Sequence, residues 1–309
     1  METQPERPIA RKPKRRWFQF SLATLLLLTF VCAVVLALWV APSERQRRAV
    51  AFVYSAEGYV KYADESDLAA LAPAWLREWL GPEYFQSVIG VELRGTRISD
   101  AGLEHLTGLT ALEGMDVSDT QVSDAGLAHF KGLTTLKKLE LGNAQVSDTG
   151  LAHLKGLTAL EKLYLYRTPV SDAGLAHLKG LTALKVLDLS RTRVSSEGLA
   201  QLKGLTALEN LYLKETQVGD AGLAHLKGQT TLEWLSLDGT PVSDAGLVHL
   251  KGLTALGWLS LDGTSVSDAG LAHLKGLTAL ERLNLSRTLV SDAGIAELRA
   301  ALPNCTIAH

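Results

Sequence analysis

The chain has 309 residues, of which 47% are apolar, so it has enough material for a sizeable buried core. Its formal net charge of −2 gives no general attraction to nucleic acid, and we expect no nucleic-acid partner. The two cysteines, Cys32 and Cys305, lie far apart in sequence, which argues against a disulfide framework. The charge is uneven, because six basic and two acidic residues fall within residues 1–16.

Residues 17–40 form an apolar run without a charged side chain. As a helix this run can cross about 30 Å of hydrocarbon, and Trp17 and Trp39 stand at its ends, where indole rings prefer the membrane interface. The basic residues before it outnumber the arginines that follow, so we expect a cytoplasmic N-terminus. The sequence thus predicts a basic cytoplasmic tail (1–16), a single transmembrane helix (17–40) and an extracytoplasmic remainder. A signal peptide cut after Ala37 is the alternative, but its apolar region would be only about 7–15 residues long.

Residues 41–85 are predicted to form an N-terminal capping segment. A helix is expected over about 44–56, followed by an extended piece at 59–62 and a short helix over 74–80. The aromatic residues of this part of the segment suit either a ligand-binding cluster or a seal over the open apolar end of a solenoid; they are Trp75, Trp79, Tyr84 and Phe85. The seal is the better interpretation, because a repeat array begins immediately after them.

Residues 86–302 repeat one 24-residue phrase nine times, which marks a solenoid. In the fourth copy Leu163 and Leu165 alternate with polar positions, which is strand periodicity. Leu175, Leu178 and Leu181 then follow at helical spacing. Each unit therefore predicts a strand, a turn and a helix, and residues 303–309 look like a truncated repeat that forms a C-terminal cap.

The phrase L-x-x-L-x-L-x-x-T, which begins at Leu160, resembles the leucine-rich repeat with threonine at the usual asparagine or cysteine position. The 24-residue period resembles the ribonuclease-inhibitor and F-box leucine-rich-repeat subtype, and the whole chain is similar to membrane-anchored bacterial leucine-rich-repeat proteins. The resemblance implies an α/β horseshoe with a parallel sheet on its concave face and helices on its convex face, preceded by one transmembrane helix. It also implies protein recognition on the concave sheet.

Three constant columns suggest local roles. The column of Asp172, which is aspartate in eight units and Ser196 in the other, is expected to cap the helices, because Gly219 interrupts the column before it. The glycine column of Gly174 is expected to let neighbouring units approach closely or to relieve crowding in the first helical turn. Thr168 and its equivalents are expected to turn inward and to bond to the backbone at the bend.

Two patterns resemble a metal site or a catalytic site but lack the geometry that such a site needs. A histidine column suggests metal ligation, but helices in adjacent units lie about 8–10 Å apart, too far for two ligands about 2.1 Å from one ion. Its members are His105, His129, His153, His177, His225, His249 and His273. Each unit also holds Ser, Asp and His, but without the mutual reach that a catalytic triad needs. The chain has no phosphate-binding or nucleophile-elbow motif, so we expect no enzyme, no metal and no cofactor.

The strand positions that face away from the leucines are where the units differ, and a recognition surface is expected to vary in this way. Aromatic and charged residues gather there in the middle and later units, and aromatic side chains and arginine are frequent binding hot spots. The alternative is that aromatics simply suit strands. The candidate binding residues are Lys162, Tyr164, Tyr166, Arg167, Arg191, Tyr212, Lys214, Trp234, Asp238, Trp258 and Asp262.

These features predict a membrane-anchored scaffold that binds a partner protein of unknown identity through the concave face. Two alternatives stay open. One is a structural protein of the cell envelope without a specific ligand. The other is a substrate adaptor, because the repeats also resemble those of F-box proteins, although the residues before the repeats show no F-box-like domain.

Overall fold

The computed structural model describes residues 22–35, 41–63, 75, 78, 81 and 84–309. By their contacts, these residues fall into two compact units, Met1–Ser43 and Glu44–His309. In the first unit, helix α1, Leu22–Val35, consists mostly of apolar residues, and Leu26 and Phe30 are more than 60% exposed. The predicted membrane helix over residues 17–40 lies partly outside the described residues. Within the described residues, no helix combines the length and the apolar character that a bilayer crossing requires.

The second unit contains one sheet of eleven strands in chain order. The strands are β1 (Tyr59–Tyr62), β2 (Val88–Glu92), β3 (Gly114–Asp116), β4 (Lys138–Glu140), β5 (Lys162–Tyr164), β6 (Val186–Asp188), β7 (Asn210–Tyr212), β8 (Trp234–Ser236), β9 (Trp258–Ser260), β10 (Arg282–Asn284) and β11 (Thr306–Ala308). Strand β1 is antiparallel to β2, and every later pair is parallel. In β3 to β10 each residue pairs with its equivalent 24 positions later, so each column of the sequence becomes a row across the sheet.

Short helices connect the strands. Helix α2 (Ala41–Ser55) precedes β1, and the repeat helices are α3 (Asp100–Leu103), α4 (Asp124–Leu127), α5 (Asp148–Leu151), α6 (Asp172–Leu175), α7 (Asp220–Leu223), α8 (Asp244–Leu247), α9 (Asp268–Leu271) and α10 (Asp292–Ala301). Single turns of 3₁₀ helix extend several of them, as at Ala128–Gly132 and Ala152–Gly156, and Gly198–Gly204 is 3₁₀ throughout. Most repeat helices are thus a single α turn, shorter than predicted. Leucines spaced three apart fit a 3₁₀ helix as well as an α-helix.

The leucine columns form one continuous core. Leu163 and Leu165 from the strand side and Leu175, Leu178 and Leu181 from the helix side are all fully buried. Because no 24-residue unit can enclose its own leucines, this core exists only when units stack, as predicted. The predicted inward role of the threonine column is also confirmed: Thr168 is 3% exposed, and its Oγ1 donates to the carbonyl of Leu165 at 2.6 Å.

The aspartate column joins neighbouring units instead of capping its own helix. Oδ1 of Asp148 accepts from the backbone N–H of Ser171 at 2.7 Å, and Oδ2 accepts from Ser171 Oγ at 2.6 Å. Ser171 is the N-cap residue of the next unit, and Asp172 is already inside the helix. The prediction that Asp172 and its equivalents are the N-caps is therefore wrong. The partner of each carboxylate lies 23 residues further along the chain, outside the range of any local capping argument.

The glycine column is explained by the same carboxylates. A Cβ placed on Gly174 would overlap Asp148 Oδ1, and one on Gly150 would overlap Asp124 Oδ1 and lie 3.2 Å from the Asp124 Cα. The prediction that these glycines let neighbouring units approach closely is confirmed. Aspartate, serine and glycine thus form one bonded junction between each pair of adjacent units.

Both ends of the sheet gain a strand from outside the nine units, so the sheet has eleven strands and not the nine that were predicted. Helix α2 confirms the helix expected over about 44–56, and β1 confirms the extended piece at 59–62. Phe85 is buried, as a seal requires, whereas Trp75 is 67% exposed and does not contribute to it. Trp79 and most of the helix expected over 74–80 lie outside the described residues. Strand β11 extends the sheet as the truncated last repeat predicted.

Candidate functional site

The side chains that alternate with the buried leucines form what we call the exposed sheet face. It comprises the positions of Lys162, Tyr164 and Tyr166 and their equivalents in the other units. Lys162 is exposed and the two tyrosines are half-buried, whereas Leu163 and Leu165 between them are fully buried. The structure therefore places all eleven candidate residues on this face or in the turn at its edge.

Units 7 and 8 carry the most regular part of this face, because both read W-L-S-L-D-G-T, at 234–240 and 258–264. In-register pairing places Trp234 beside Trp258 and Ser236 beside Ser260. The two indole rings stack with centroids 3.9 Å apart and an interplanar angle of 14°. Tyr212 in unit 6 meets Trp234 at 6.2 Å with a 45° tilt. We call these three rings the aromatic ladder, and it extends across three adjacent units.

Unpaired polar atoms lie within and beside the aromatic ladder. Among the described residues, Trp234 Nε1, Asp238 Oδ1 and Ser260 Oγ are buried and have no hydrogen-bond partner. Buried polar groups are nearly always hydrogen-bonded, because leaving one unpaired costs about 1–3 kcal/mol. The ladder thus combines a large apolar surface with polar atoms that no described residue satisfies.

Asp188 was not among the candidates, yet it lies in the same row between Tyr164 and Tyr212. Burial raises the pKa of the Asp188 carboxyl, and the hydrogen bonds that Ser190 donates offset this only in part. Its sequence signal was its position in the variable column that supplied both tyrosines. A partly desolvated carboxylate between two rings is a favourable contact for a cationic group of a partner.

Tyr166 does not belong to the aromatic ladder. Its ring lies over Gly142 in the preceding unit, because a Cβ there would overlap the ring atoms. Electrostatic interactions with Tyr166 and Asp119 raise the pKa of the Arg94 guanidinium. The Tyr164 ring also contacts the preceding unit, where Lys138 Nζ lies 5.9 Å from the centre of the ring. The predicted patch is therefore two groups of aromatics that face different neighbours.

Two of the charged candidates, Arg191 and Asp262, form ion pairs with residues of adjacent units. Arg191 bonds to Glu215 at 2.9 Å, and Asp262 accepts from Nε of Arg287 at 2.8 Å. Hydrogen bonding from Arg287 lowers the pKa of the Asp262 carboxyl. Lys162 and Arg167 are exposed and make no ion pair with a described residue. Arg167 and Arg191 also adopt left-handed backbone conformations, with φ of 56° and 58°, in the turn before the threonine column.

The first units present a hollow where the later units present rings. It has a volume of about 410 Å³, and Gly90 and Gly114, paired in register, form its floor. Lys61, Lys138 and Lys162 are among the charged residues that line it. A second hollow of about 750 Å³ lies between α2 and the first 24-residue repeat, beside Phe52 and Gly102. It contains none of the candidate residues.

The predicted absence of metal and catalytic sites is not tested by the structure. Among the described residues, no group of three or more His, Cys, Asp and Glu side chains is placed to hold a metal ion. Six of the seven column histidines, all but His105, are half-buried, one in each of six units.

Comparisons with known proteins agree with the fold. The family model described as leucine-rich repeat matches residues 132–154. The crystal structure of internalin C2 from Listeria monocytogenes is similar at 26% identity and a TM-score of 0.50, covering 74% of this chain and 87% of that one. Internalin F from the same organism matches at 20% identity and a TM-score of 0.30, covering 79% and 94%. A search of curated proteins gives no match. The similarity to internalin C2 and the match at residues 132–154 show that the chain has a fold similar to that of leucine-rich-repeat solenoids.

Proposed function

We propose that the protein is a membrane-anchored scaffold that binds a partner protein through the exposed sheet face, without catalysing a reaction. The observation that carries this proposal is the aromatic ladder. Tyr212, Trp234 and Trp258 are half-buried rings on the solvent side of a rigid sheet, and unpaired polar atoms accompany them. Large aromatics grouped on a surface are typical of binding hot spots.

The sheet and the core beneath it support recognition because they fix the positions of the aromatic ladder's side chains. Backbone bonds fix the strands in register, and the fully buried leucines beneath them leave no room for rearrangement. Side chains held in place in this way lose little conformational entropy on binding, which favours affinity. The similarity of the fold to internalin C2 agrees with a repeat scaffold, but it does not identify a ligand.

Membrane anchoring rests on the sequence of residues 17–40 and on the exposed apolar side chains of α1. The basic residues before this run favour a cytoplasmic N-terminus, with the repeats on the extracytoplasmic side of a bacterial membrane. Protease treatment of intact cells tests this arrangement. Digestion of the repeats without cell lysis is the expected result, and full protection would contradict it.

The binding proposal is tested by a photo-reactive amino acid introduced at Asn210, which neighbours the aromatic ladder, in cells that produce the full chain. We expect a discrete cross-linked species containing a second protein. The triple variant Tyr212→Ala, Trp234→Ala and Trp258→Ala should lose it, while its unfolding midpoint stays close to that of the parent. The matched control is Tyr54→Ala, because Tyr54 is an aromatic residue on α2 that is 53% exposed.

Two results would contradict the binding proposal. If the triple variant stays folded and keeps the same cross-link, the ladder is not the contact. If the only cross-linked product is a second copy of the chain, the structural role in the cell envelope is favoured instead. The adaptor alternative predicts cross-links to several different proteins in place of one species.

A further inference from the structure

One column on the helix side of the repeats carries a cation in every unit from the second to the ninth. Seven of these are lysines that directly precede a glycine, five of them within an H-L-K-G phrase, and the eighth is the arginine at the same place in unit 9. We call this column the cation stripe: Lys131, Lys155, Lys179, Lys203, Lys227, Lys251, Lys275 and Arg299. Lys275 is half-buried, and the other seven side chains are exposed.

The cation stripe is almost free of compensating charge within the described residues. The one ion pair that it makes there joins Lys275 to Glu297. Equivalent residues of adjacent units lie about 5–10 Å apart, between the spacing of strands and that of packed helices. Because this is within the Debye length of about 10 Å at 0.1 M salt, neighbouring members repel one another.

A nearby column shows how the same repeats neutralise charge. At the position of Glu113 the sign alternates through units 2 to 5, as Glu113, Lys137, Glu161 and Lys185. These residues pair across units, with Lys137 3.0 Å from Glu113 and Lys185 3.1 Å from Glu161. Repetition alone therefore does not force like charges to follow one another. Eight unalternated cations on a chain of net charge −2 indicate an external anionic surface.

We propose that the cation stripe lies on the anionic headgroups of the lipid bilayer. This inference rests on the membrane anchoring proposed above. Only three residues separate the end of the apolar run, residue 40, from Glu44, where the second compact unit begins, so a membrane-embedded run keeps the start of that unit close to headgroups. Each lysine or arginine near an anionic surface adds to the attraction, and eight in one row act together.

Binding of the cation stripe to lipid would leave the exposed sheet face accessible. The stripe lies on the helix side of each unit and the aromatic ladder on the strand side. A bilayer bound to the stripe therefore leaves the ladder open to a partner. Binding of the stripe also makes the orientation of the repeats depend on the anionic lipid content and on salt, which a flexible tether alone would not do.

Lysine acetylation by a membrane-impermeant reagent tests this proposal on the full chain in vesicles. One set contains phosphatidylcholine alone, and the other includes about 30% phosphatidylglycerol as the anionic lipid. The rate at each stripe lysine is compared by mass spectrometry with the rate at Lys162, an exposed lysine on the sheet face. We expect stripe lysines to react at least about threefold more slowly on anionic vesicles, and this protection to disappear near 0.5 M salt.

A matched pair of variants strengthens the test. Changing Lys155, Lys179 and Lys203 together to glutamine should abolish protection of the rest of the stripe. The same change at Lys137, Lys162 and Lys185 removes equal charge elsewhere and should preserve it, with Lys61 then serving as the reference lysine. Equal reactivity on both kinds of vesicle would overturn the proposal, as would protection by soluble polyphosphate but not by anionic vesicles. Flotation with neutral vesicles tests the anchor separately, so a failure of the anchor and a failure of the stripe give different results.

Discussion

The junction between units 5 and 6 differs from the other junctions of the repeat array. At seven junctions an aspartate accepts from both the backbone and the hydroxyl of a serine in the next unit, as Asp124 does from Ser147 at 2.6 and 2.5 Å. At the eighth, Ser196 replaces the aspartate and Gly219 replaces the serine, and a single bond of 3.0 Å joins Ser196 Oγ to the Gly219 N–H. The two substitutions occur together, so acceptor and donor behave as one element.

The helix side of the same region is also the least regular. Unit 5 has 3₁₀ structure where the other units have an α turn, and it lacks the acidic first-turn residue that favours the positive end of a helix dipole. In unit 6, Gln229 replaces a core leucine, and its Oε1 is buried without a partner among the described residues. On the opposite side of these units, β6 carries Asp188 and β7 carries Tyr212. The weakest junction therefore lies directly behind the middle of the exposed sheet face.

The aspartate junctions are therefore expected to contribute most to stability. Of the variants considered, Gly150→Ala should lower the free energy of unfolding the most. The new Cβ would overlap Asp124 Oδ1 and approach the Asp124 backbone, so the two units must separate. We expect a loss of about 3 kcal/mol in the free energy of unfolding, measured by urea titration of the full chain with circular dichroism. The control is Gly156→Ala, six residues further along, where no described atom lies within 4 Å of the added Cβ. Equal effects of the two changes would refute the close-packed junction.

Asp124→Ala should cost less, about 2 kcal/mol, because it removes the acceptor of the bonds from Ser147 and Thr149 but creates no clash. Burial alone would raise the pKa of the Asp124 carboxyl, but hydrogen bonds from Ser147, Thr149 and Gly150 lower it overall. A carboxyl with a lowered pKa stabilises the folded state above its unfolded pKa, about 4, and loses this contribution as the pH falls through the folded value.

The advantage of the parent over Asp124→Ala should therefore be full at pH 7 and shrink below about pH 4. Parallel urea titrations at several pH values measure this difference. Ser196→Ala, at the weak junction, should cost less than Asp124→Ala and show no such pH dependence. An Asp124→Ala penalty that is constant from neutral to acidic pH would show that the carboxylate is not the stabilising group.

The sheet and its core were predictable because the sequence has two regular periods, the alternation of residues within each strand and the repeat of 24 residues. Alternation around Leu163 and Leu165 fixes which strand face is buried, and the 24-residue period fixes the register. The junction was not predicted, since an acidic residue in a first turn fits a cap as well as a bond to the next unit. A signal was nevertheless present, because Ser196 and Gly219 change together at positions 23 residues apart.

The candidate site was predictable as a set of positions but not as a set of contacts. Register places Trp234 beside Trp258, and the stacking of equal rings follows from it. The direction of Tyr166 could not be derived, because it depends on the space above Gly142 in another unit. The pairing of Asp262 with Arg287, 25 residues away, likewise depends on how far a long side chain leans across a turn.

The smallest expected effect comes from rebuilding the weak junction. Ser196→Asp with Gly219→Ser should restore the two bonds of the other junctions and add about 1 kcal/mol to the free energy of unfolding. The structure can accept both changes. Gly222 still leaves room for a carboxylate, and a Cβ on Gly219 lies 3.4 Å from its nearest described neighbour. Each single variant supplies only one half of the pair, so the double variant should exceed the sum of the singles in a double-mutant cycle. A purely additive result would mean that Ser196 and Gly219 do not replace a bonded pair. The junction between units 5 and 6 would then not differ from the other junctions in the way that its geometry indicates.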